Sequence, residues 1–142
     1  MTLLLFLKKK TMKKEFPYKR ILVIDDNEID FFLAHTHIKR YSENADLFFA
    51  MDVDSGLNLF KSFTNDQKPD LILLDLNFNR QQLQGIDFIK EFEKLPKESI
   101  SSTEVMLLTA FSGYDEGKLM REKYGVLKMV EKPFTVEKIL AS

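Results

Sequence analysis

Residues 71–77 read LILLDLN, and this short stretch decides between the fold classes open to the chain. A continuous apolar run of this length is typical of a strand buried on both faces, as in a parallel sheet covered by helices. The run ends in a carboxylate, Asp75, and a long polar segment separates that acid from Gly85. The stretch therefore predicts a core strand with an acid at its carboxyl end.

Apolar runs of strand length recur along the chain and alternate with segments of helical spacing. The runs are Arg20–Ile24, Leu47–Met51, Leu71–Leu76, Val105–Thr109 and Val126–Val130. Helical stripes lie between them, at Ile29, Phe32, Leu33 and Thr36, at Leu57, Phe60 and Phe63, and at Phe88, Ile89, Phe92 and Leu95. A weaker helix is predicted around Gly117–Tyr124 and a last one from about Thr135. This β–α rhythm, repeated five times, predicts a parallel sheet with helices on both faces.

Length and composition are those of one ordinary globular domain. The chain has 142 residues, 44% hydrophobic and 30% charged, with a net charge of -1. We therefore expect no bulk attraction to nucleic acid or to anionic membrane. The absence of cysteine excludes disulfides, thiolate chemistry and the usual zinc-finger frameworks.

The first 19 residues are expected to stand apart from the domain formed by residues 20–142. The apolar run Leu3–Leu7 is too short for a membrane span, and its lysines follow it rather than precede it, unlike a signal peptide. We expect residues 1–19 to be a flexible tail or the product of an artefactual upstream start, with Met12 as the real first residue. A short interaction segment is the remaining alternative.

Polar side chains are predicted at the carboxyl ends of four strands. Asp25 and Asp26 follow the first, Asp75 ends the third, Thr109 ends the fourth and Lys132 follows the fifth. In an open α/β sheet this edge is where ligands bind. Clustered carboxylates repel one another unless a cation joins them, and hard oxygen ligands with room for water suit Mg²⁺. A carboxylate beside such an ion can attack phosphorus, with the lysine and hydroxyl holding phosphoryl oxygens.

Four fragments at these positions, VIDDNE, LLDLN, LLTA and EKPF, resemble the receiver domain of two-component response regulators over about residues 20–142. The resemblance implies a flavodoxin-like doubly wound (βα)5 fold with a five-stranded parallel sheet of order 2-1-3-4-5. It also implies that Asp75 is the phosphoacceptor. Magnesium would be held by Asp25, Asp26, Asp75 and the backbone carbonyl of Asn77.

The same resemblance gives roles to the remaining residues of the site. Thr109 matches the switch hydroxyl that turns toward the phosphoryl group, and Lys132 matches the lysine that contacts it. Ala110 matches the small residue that leaves the phosphoryl group space. The peptide before Pro133 is usually cis in the family, although the sequence alone favours trans.

Two features depart from the family pattern, the residue at position 129 and the loop after Asp75. Met129 stands where an aromatic switch residue is common, which puts the coupling to an output surface in doubt. Phe78-Asn79 replaces Met-Pro, and Gly85 lies ten residues after Asp75 instead of eight, which predicts a longer loop beside the site. A bulky Phe111 is hypothesised to shield the phosphoryl group from water.

The resemblance implies a single-domain receiver that is not an enzyme beyond its own phosphorylation and dephosphorylation. A histidine kinase or phosphotransfer protein in the cytoplasm would be the donor, in two-component or phosphorelay signalling. Output would pass to an unknown protein partner, with no direct contact to nucleic acid or membrane, from a monomer or weak dimer.

Two other functions stay open for the same fold and site. One is a pseudo-receiver that binds partners without phosphorylation. The other is a phosphatase-type hydrolase, which normally has a second acid two residues after the nucleophile, where this chain has Asn77. His35 and His37, two residues apart on a helix, lie on different faces and are expected to have no role in the chemistry.

Overall fold

The computed structural model describes residues 16–75, 83–109 and 128–140, and these form five strands and five α-helices. In chain order they are β1 (Arg20–Ile24), α1 (Glu28–Tyr41), β2 (Asp46–Ala50), α2 (Val53–Ser62), β3 (Leu71–Asp75), α3 (Leu83–Glu93), α4 (Lys97–Ile100), β4 (Glu104–Thr109), β5 (Lys128–Glu131) and α5 (Val136–Leu140). A short 3-10 helix, Asn65–Gln67, precedes β3. The helix predicted around Gly117–Tyr124 lies outside the described residues.

The strands form one parallel sheet in the order β2-β1-β3-β4-β5. The predicted fold class and strand order are therefore confirmed. The bounds of β1 match the prediction, whereas the edge strand β2 begins one residue earlier, at Asp46. β4 also begins one residue earlier, at Glu104, and β5 runs on to Glu131. The predicted polar residues lie at the carboxyl ends of the strands.

Each face of the sheet supports its own apolar core, which is why the strands read as continuous apolar runs. Successive residues of β3 alternate between the two cores. Ile72 and Leu74 pack with α2 and α3, whereas Leu71 and Leu73 pack with α1 and α5. All four side chains are fully buried. Burying one such side chain is worth about 1.5–3 kcal/mol, so a central strand of this composition anchors both layers.

The helix α1 is confirmed, but its expected apolar stripe does not face the sheet. Ile29 and Phe32 are 68% and 66% exposed, and the fully buried residues of this helix are Ala34 and Ile38. Phe31, half-buried, completes the packed face and stacks on Phe49 of β2 with ring centroids 4.5 Å apart. Two stripes of helical period thus coexist in α1, and the stripe that packs in the core contains Phe31, Ala34 and Ile38.

The helix α2 approaches the sheet closely. Asp52 is its N-cap, and the Asp52 carboxylate accepts a hydrogen bond from the Ser55 amide at 2.7 Å. A side chain at Gly56 would place its Cβ 2.5 Å from Ile24 Cδ1. Any larger residue would force the buried Ile24 side chain, directly before Asp25, to shift, so glycine favours the close contact between α2 and the end of β1.

The packed part of the described chain begins before β1. Phe16 is buried in the core beneath α1 and α5, and the Tyr18 hydroxyl donates a hydrogen bond to Glu104 at the start of β4. Residues 1–15 lie outside the described residues, so the boundary expected at residue 19 stays a prediction. No helix in the described ranges is both long enough and apolar enough to cross a bilayer.

Candidate functional site

Polar side chains from four strand ends meet at one edge of the sheet. Asp75 is the last residue of β3 and Thr109 the last residue of β4, whereas Asp25 and Lys132 directly follow β1 and β5. Because the strands are parallel, their carboxyl ends lie at the same edge. The side chains of Asp25, Asp75 and Thr109 are buried, and Asp26 is half-buried. The fold therefore gathers these predicted site residues at one end.

The backbone of the sheet fixes two of these residues beyond the strand ends. The Asp25 amide donates to the Ala50 carbonyl at 3.0 Å, which extends the pairing of β1 with β2. The Lys132 amide donates to the Thr109 carbonyl at 2.7 Å and extends the pairing of β4 with β5. The Lys132–Pro133 peptide is cis, as the family resemblance implies. These hydrogen bonds therefore fix the backbone positions of both charged residues relative to the sheet.

The three predicted acidic metal ligands form one cluster. Asp25, Asp26 and Asp75 each offer a carboxylate oxygen, and these oxygens lie within 4.8 Å of one another. Asp25 Oδ1 accepts a hydrogen bond from the Asn27 amide at 2.9 Å. Asp25 Oδ2 is buried and has no hydrogen-bond partner among the described residues, although it lies 3.3 Å from Lys132 Nζ.

Lys132 joins the carboxylates as the cation of the site. Its Nζ lies 3.3 Å from Asp75 Oδ1, 3.3 Å from Asp25 Oδ2 and 2.7 Å from Asp30 Oδ2. The lysine side chain is 18% exposed, so these contacts are largely withdrawn from water. Ion pairs of this kind interact more strongly than pairs on the open surface, at the cost of desolvating both charges.

The electrostatics of the site follow from burial and from the excess of acids. Burial and the neighbouring Asp75 carboxylate raise the pKa of Asp25 to about 7, against the smaller opposing effects of the Asn27 amide and Lys132. Burial alone would lower the pKa of Lys132. The hydrogen bond to Asp30 and the charges of Asp25 and Asp75 outweigh burial, and the pKa rises above its usual value. Without a further cation the cluster therefore holds negative charge only at an energetic cost.

The residues present fit a magnesium ion. The cluster offers hard carboxylate oxygens, and buried Asp25 Oδ2 lacks a hydrogen-bond partner among the residues described. Mg²⁺ prefers one or two protein carboxylates together with water, and its charge would offset the burial and the Asp75 repulsion that raise the pKa of Asp25. Asp25, Asp26 and Asp75 are the side chains that would hold it. The predicted fourth contributor, the carbonyl of Asn77, lies outside the described residues.

Other predicted features of the site also fall outside the described part of the chain. These are the longer loop after Asp75, the small residue Ala110 and the shielding residue Phe111. Gly85 is within α3, which begins at Leu83. Met129, at the aromatic switch position, is half-buried on β5, pairs with Leu107 and packs against the core formed with α2 and α3.

Asp30 is a residue of the site that the sequence interpretation missed. It lies in the first turn of α1, and its Oδ2 accepts the 2.7 Å hydrogen bond from Lys132 Nζ. An acid in the first turn of a helix normally serves the helix dipole, so its residue type alone carries no signal. Its contact joins α1 to Lys132, 102 residues away in the chain, so the sequence carries no pattern that marks Asp30.

An exposed apolar surface adjoins the site on the same helix. Ile29 and Phe32 are more than half exposed, Leu33 is also exposed, and their i, i+3, i+4 spacing puts these three side chains on one face of α1. Exposed apolar side chains grouped in this way mark surfaces that contact other proteins more often than isolated ones do. The site is therefore bordered by a surface suited to a protein partner.

Solved structures of the same fold come from several bacteria. A two-component response regulator from Legionella pneumophila is 26% identical, with a TM-score of 0.72 over 87% of this chain and 93% of that chain. The chemotaxis response regulator CheY4 of Vibrio cholerae is 22% identical, with a TM-score of 0.65 over 87% of this chain and 93% of that chain. A response regulator receiver protein from Dyadobacter fermentans is 16% identical, with a TM-score of 0.72 over 86% and 94%.

Sequence comparison gives the family directly. No curated protein sequence matches the chain. The family model of the response regulator receiver domain matches residues 21–142, which is most of the chain and includes every residue placed in the site above. With its sheet order, its acid cluster and its lysine already in place, the chain belongs to the response regulator receiver domain family.

Proposed function

We propose that Asp75 accepts a phosphoryl group from a histidine kinase or a phosphotransfer protein, with Mg²⁺ bound beside it. The observation that carries the proposal is the convergence on Asp75 of an acid cluster and a lysine from distant parts of the chain. Lys132 Nζ lies 3.3 Å from Asp75 Oδ1, and the oxygens of Asp25 and Asp26 complete the cluster. Membership of the receiver family supports the same role for Asp75.

The chemistry is one phosphoryl transfer. A carboxylate oxygen of Asp75 attacks the phosphorus of a phosphohistidine, and an O–P bond forms as the P–N bond breaks. The electron pair of the broken bond stays with the imidazole of the donor. Asp25, Asp26, Asp75 and the carbonyl of Asn77 would hold Mg²⁺, which would supply positive charge for the transferring oxygens.

Lys132 and Thr109 act on the phosphorylated state. The Lys132 ammonium binds a phosphoryl oxygen through a charge-assisted hydrogen bond, and the Thr109 hydroxyl donates a second one. Reorientation of these two side chains shifts an equilibrium between inactive and active conformations of the domain. Output then passes to a protein partner, without direct contact to nucleic acid or membrane.

We further expect the donor to dock on the apolar surface of α1. Ile29 and Phe32 are exposed beside Asp30, whose carboxylate contacts the lysine of the site. A partner helix seated there would bury apolar area and bring its phosphohistidine toward Asp75. We infer that the chain acts as a phosphoacceptor and not as an enzyme on external substrates. We also expect it in the cytoplasm, because its proposed donors are cytoplasmic.

The proposal is tested by incubating the protein with Mg²⁺ and acetyl phosphate, and separately with Mg²⁺ and beryllofluoride. Intact mass reports the phosphoryl adduct, and amide NMR shifts report the beryllofluoride complex. We expect one adduct per chain, absent from Asp75→Asn and absent when EDTA removes the metal. Asp87→Asn, on α3, is the matched control and should label as the wild type does.

The other outcomes identify the alternative functions. A folded protein with no adduct and no spectral response would indicate a phosphorylation-independent pseudo-receiver. Sustained release of phosphate from external phosphoesters, without a persistent adduct, would indicate a hydrolase. Either result would contradict the proposed role of Asp75.

A further inference from the structure

We propose that Asp30 is a positioning residue for Lys132. In the unphosphorylated protein Asp30 holds the lysine, and it thereby opposes the movement of Lys132 to the phosphoryl group. The inference rests on the proposed function of Asp75. It adds a residue of α1 to the site and gives it a regulatory role, namely to set how readily the phosphorylated state forms.

The geometry makes Asp30 the preferred partner of the lysine among three carboxylates. Lys132 Nζ donates to Asp30 Oδ2 at 2.7 Å, whereas its distances to Asp25 and Asp75 are both 3.3 Å. A charge-assisted N–H···O hydrogen bond is normally 2.7–2.9 Å long, so the bond to Asp30 has this length and the two other contacts do not.

Partial burial gives this hydrogen bond an appreciable strength. The side chains of Lys132 and Asp30 are 18% and 23% exposed. An ion pair on the open surface contributes little because water screens it, whereas a pair in this intermediate position is screened less. Lys132 follows β5 and Asp30 lies on α1, 102 residues apart, so the bond also links two elements at the edge of the site.

Phosphorylation changes the competition for the lysine. Because an ammonium has three donors, the competition concerns the position of Nζ, which lies 2.7 Å from Asp30 Oδ2 and 3.3 Å from Asp75 Oδ1. Lys132 moves to the phosphoryl oxygens only if its interaction with them is stronger than its interaction with Asp30. The two effects are linked thermodynamically and are equal in size. The phosphoryl group weakens the Asp30–Lys132 bond by some factor, and Asp30 weakens the binding of the phosphoryl group through Lys132 by the same factor.

The ordinary explanation of Asp30 is that it is an acid in the first turn of α1, which favours the helix dipole. Glu28 lies in the same turn and is exposed, and it therefore shares that property without the contact to Lys132. The pair Asp30→Asn and Glu28→Gln separates the two explanations, because each change removes one negative charge from the same helical turn.

The test is the affinity for beryllofluoride at saturating Mg²⁺, followed by amide NMR shifts, in a double-mutant cycle with Lys132→Met. We expect Asp30→Asn to bind beryllofluoride about three- to tenfold more tightly than the wild type, the effect of removing one partly buried charge-assisted competitor. Glu28→Gln should match the wild type within about 1.5-fold, because exposed charges interact weakly. In the Lys132→Met background, Asp30→Asn should have no effect on affinity.

A second double-mutant cycle measures the contribution of the Asp30–Lys132 bond to stability, in the absence of metal and phosphoryl group. In EDTA, Asp30→Asn should lower the urea midpoint more when Lys132 is present than when it is replaced by methionine. The inference is overturned if Asp30→Asn leaves beryllofluoride affinity unchanged or lower, or if the gain persists without Lys132. It is also overturned if the urea midpoints show no coupling. Failure of the wild type itself to bind beryllofluoride would instead defeat the proposed function, and this inference with it.

Discussion

Lys132 Nζ lies 3.3 Å from Asp75 Oδ1, so the residue after the last strand touches the last residue of the central strand. The contact joins an edge of the sheet to its middle, across β4. It also makes one ammonium the shared counter-charge of Asp25, Asp75 and Asp30. The stability of the metal-free domain should therefore depend on this lysine.

The first prediction concerns Lys132→Met in metal-free protein. The change removes the cation but keeps an unbranched side chain of similar length, and it leaves buried carboxylates without their partner. Breaking a buried ion pair from one side costs about 3–5 kcal/mol, so we expect a loss approaching that range in urea unfolding. Adding Mg²⁺ should recover part of the loss, because the ion supplies positive charge to the same acids.

The control for this lysine is Lys94→Met on α3. Lys94 Nζ also pairs with a carboxylate, Glu91, at 2.9 Å, but both side chains are more than half exposed. An exposed pair contributes about 0–1 kcal/mol, so the unfolding curve should hardly move. An equal loss in the free energy of unfolding in the two variants would show that burial does not strengthen the ion pair of Lys132.

The second prediction concerns Asp25→Asn. Burial and the Asp75 carboxylate disfavour the ionised form of Asp25 in the folded state and raise its pKa to about 7. At pH 8 in EDTA the asparagine variant should therefore be more stable than the wild type by thermal unfolding. Its stability should no longer rise when Mg²⁺ is added, because a carboxylate of the proposed metal site has been lost.

The control for this acid is Asp46→Asn, at the amino end of β2. Asp46 is 60% exposed and pairs with Arg20, far along the strand from the acid cluster. This variant should respond to Mg²⁺ as the wild type does. A wild-type magnesium response in Asp25→Asn would remove this residue from the proposed metal site.

The sequence predicted the sheet well because the strands carry local information. β1 matched to the residue, since an apolar run between Arg20 and Asp25 leaves no other register for a strand buried on both faces. The edge strand β2 was predicted to begin one residue too late. Leu47 and Phe49 of β2 are half-buried, so the pattern there weakens and the start shifts by one residue.

The face of α1 and the role of Asp30 could not be predicted in the same way. The helix has two stripes of helical period, and which one packs is decided by the orientation of the helix on the sheet. Asp30 joins the site only because α1 and the segment after β5 meet in space, 102 residues apart in the chain. Contacts of this kind depend on tertiary structure and leave no pattern in a single sequence.

The last prediction concerns the exposed apolar surface of α1. Phe32 is 66% exposed, so Phe32→Ala should change the free energy of unfolding by less than about 0.5 kcal/mol. Leu73→Ala, in the middle of β3 and fully buried, should cost about 2–5 kcal/mol by the same measurement. We also expect Phe32→Ala to take up phosphoryl groups from acetyl phosphate at the wild-type rate, because the small donor needs no docking surface.

Transfer from a protein donor should respond differently. With a purified histidine kinase that labels the wild type, Phe32→Ala should be phosphorylated about tenfold more slowly, because an apolar anchor of a docking interface is typically worth more than 1 kcal/mol. Arg40→Ala, exposed in the last turn of the same helix, is the control and should retain the wild-type rate. Equal slowing with acetyl phosphate would place the defect in the site, and unchanged transfer from the kinase would show that the donor docks elsewhere.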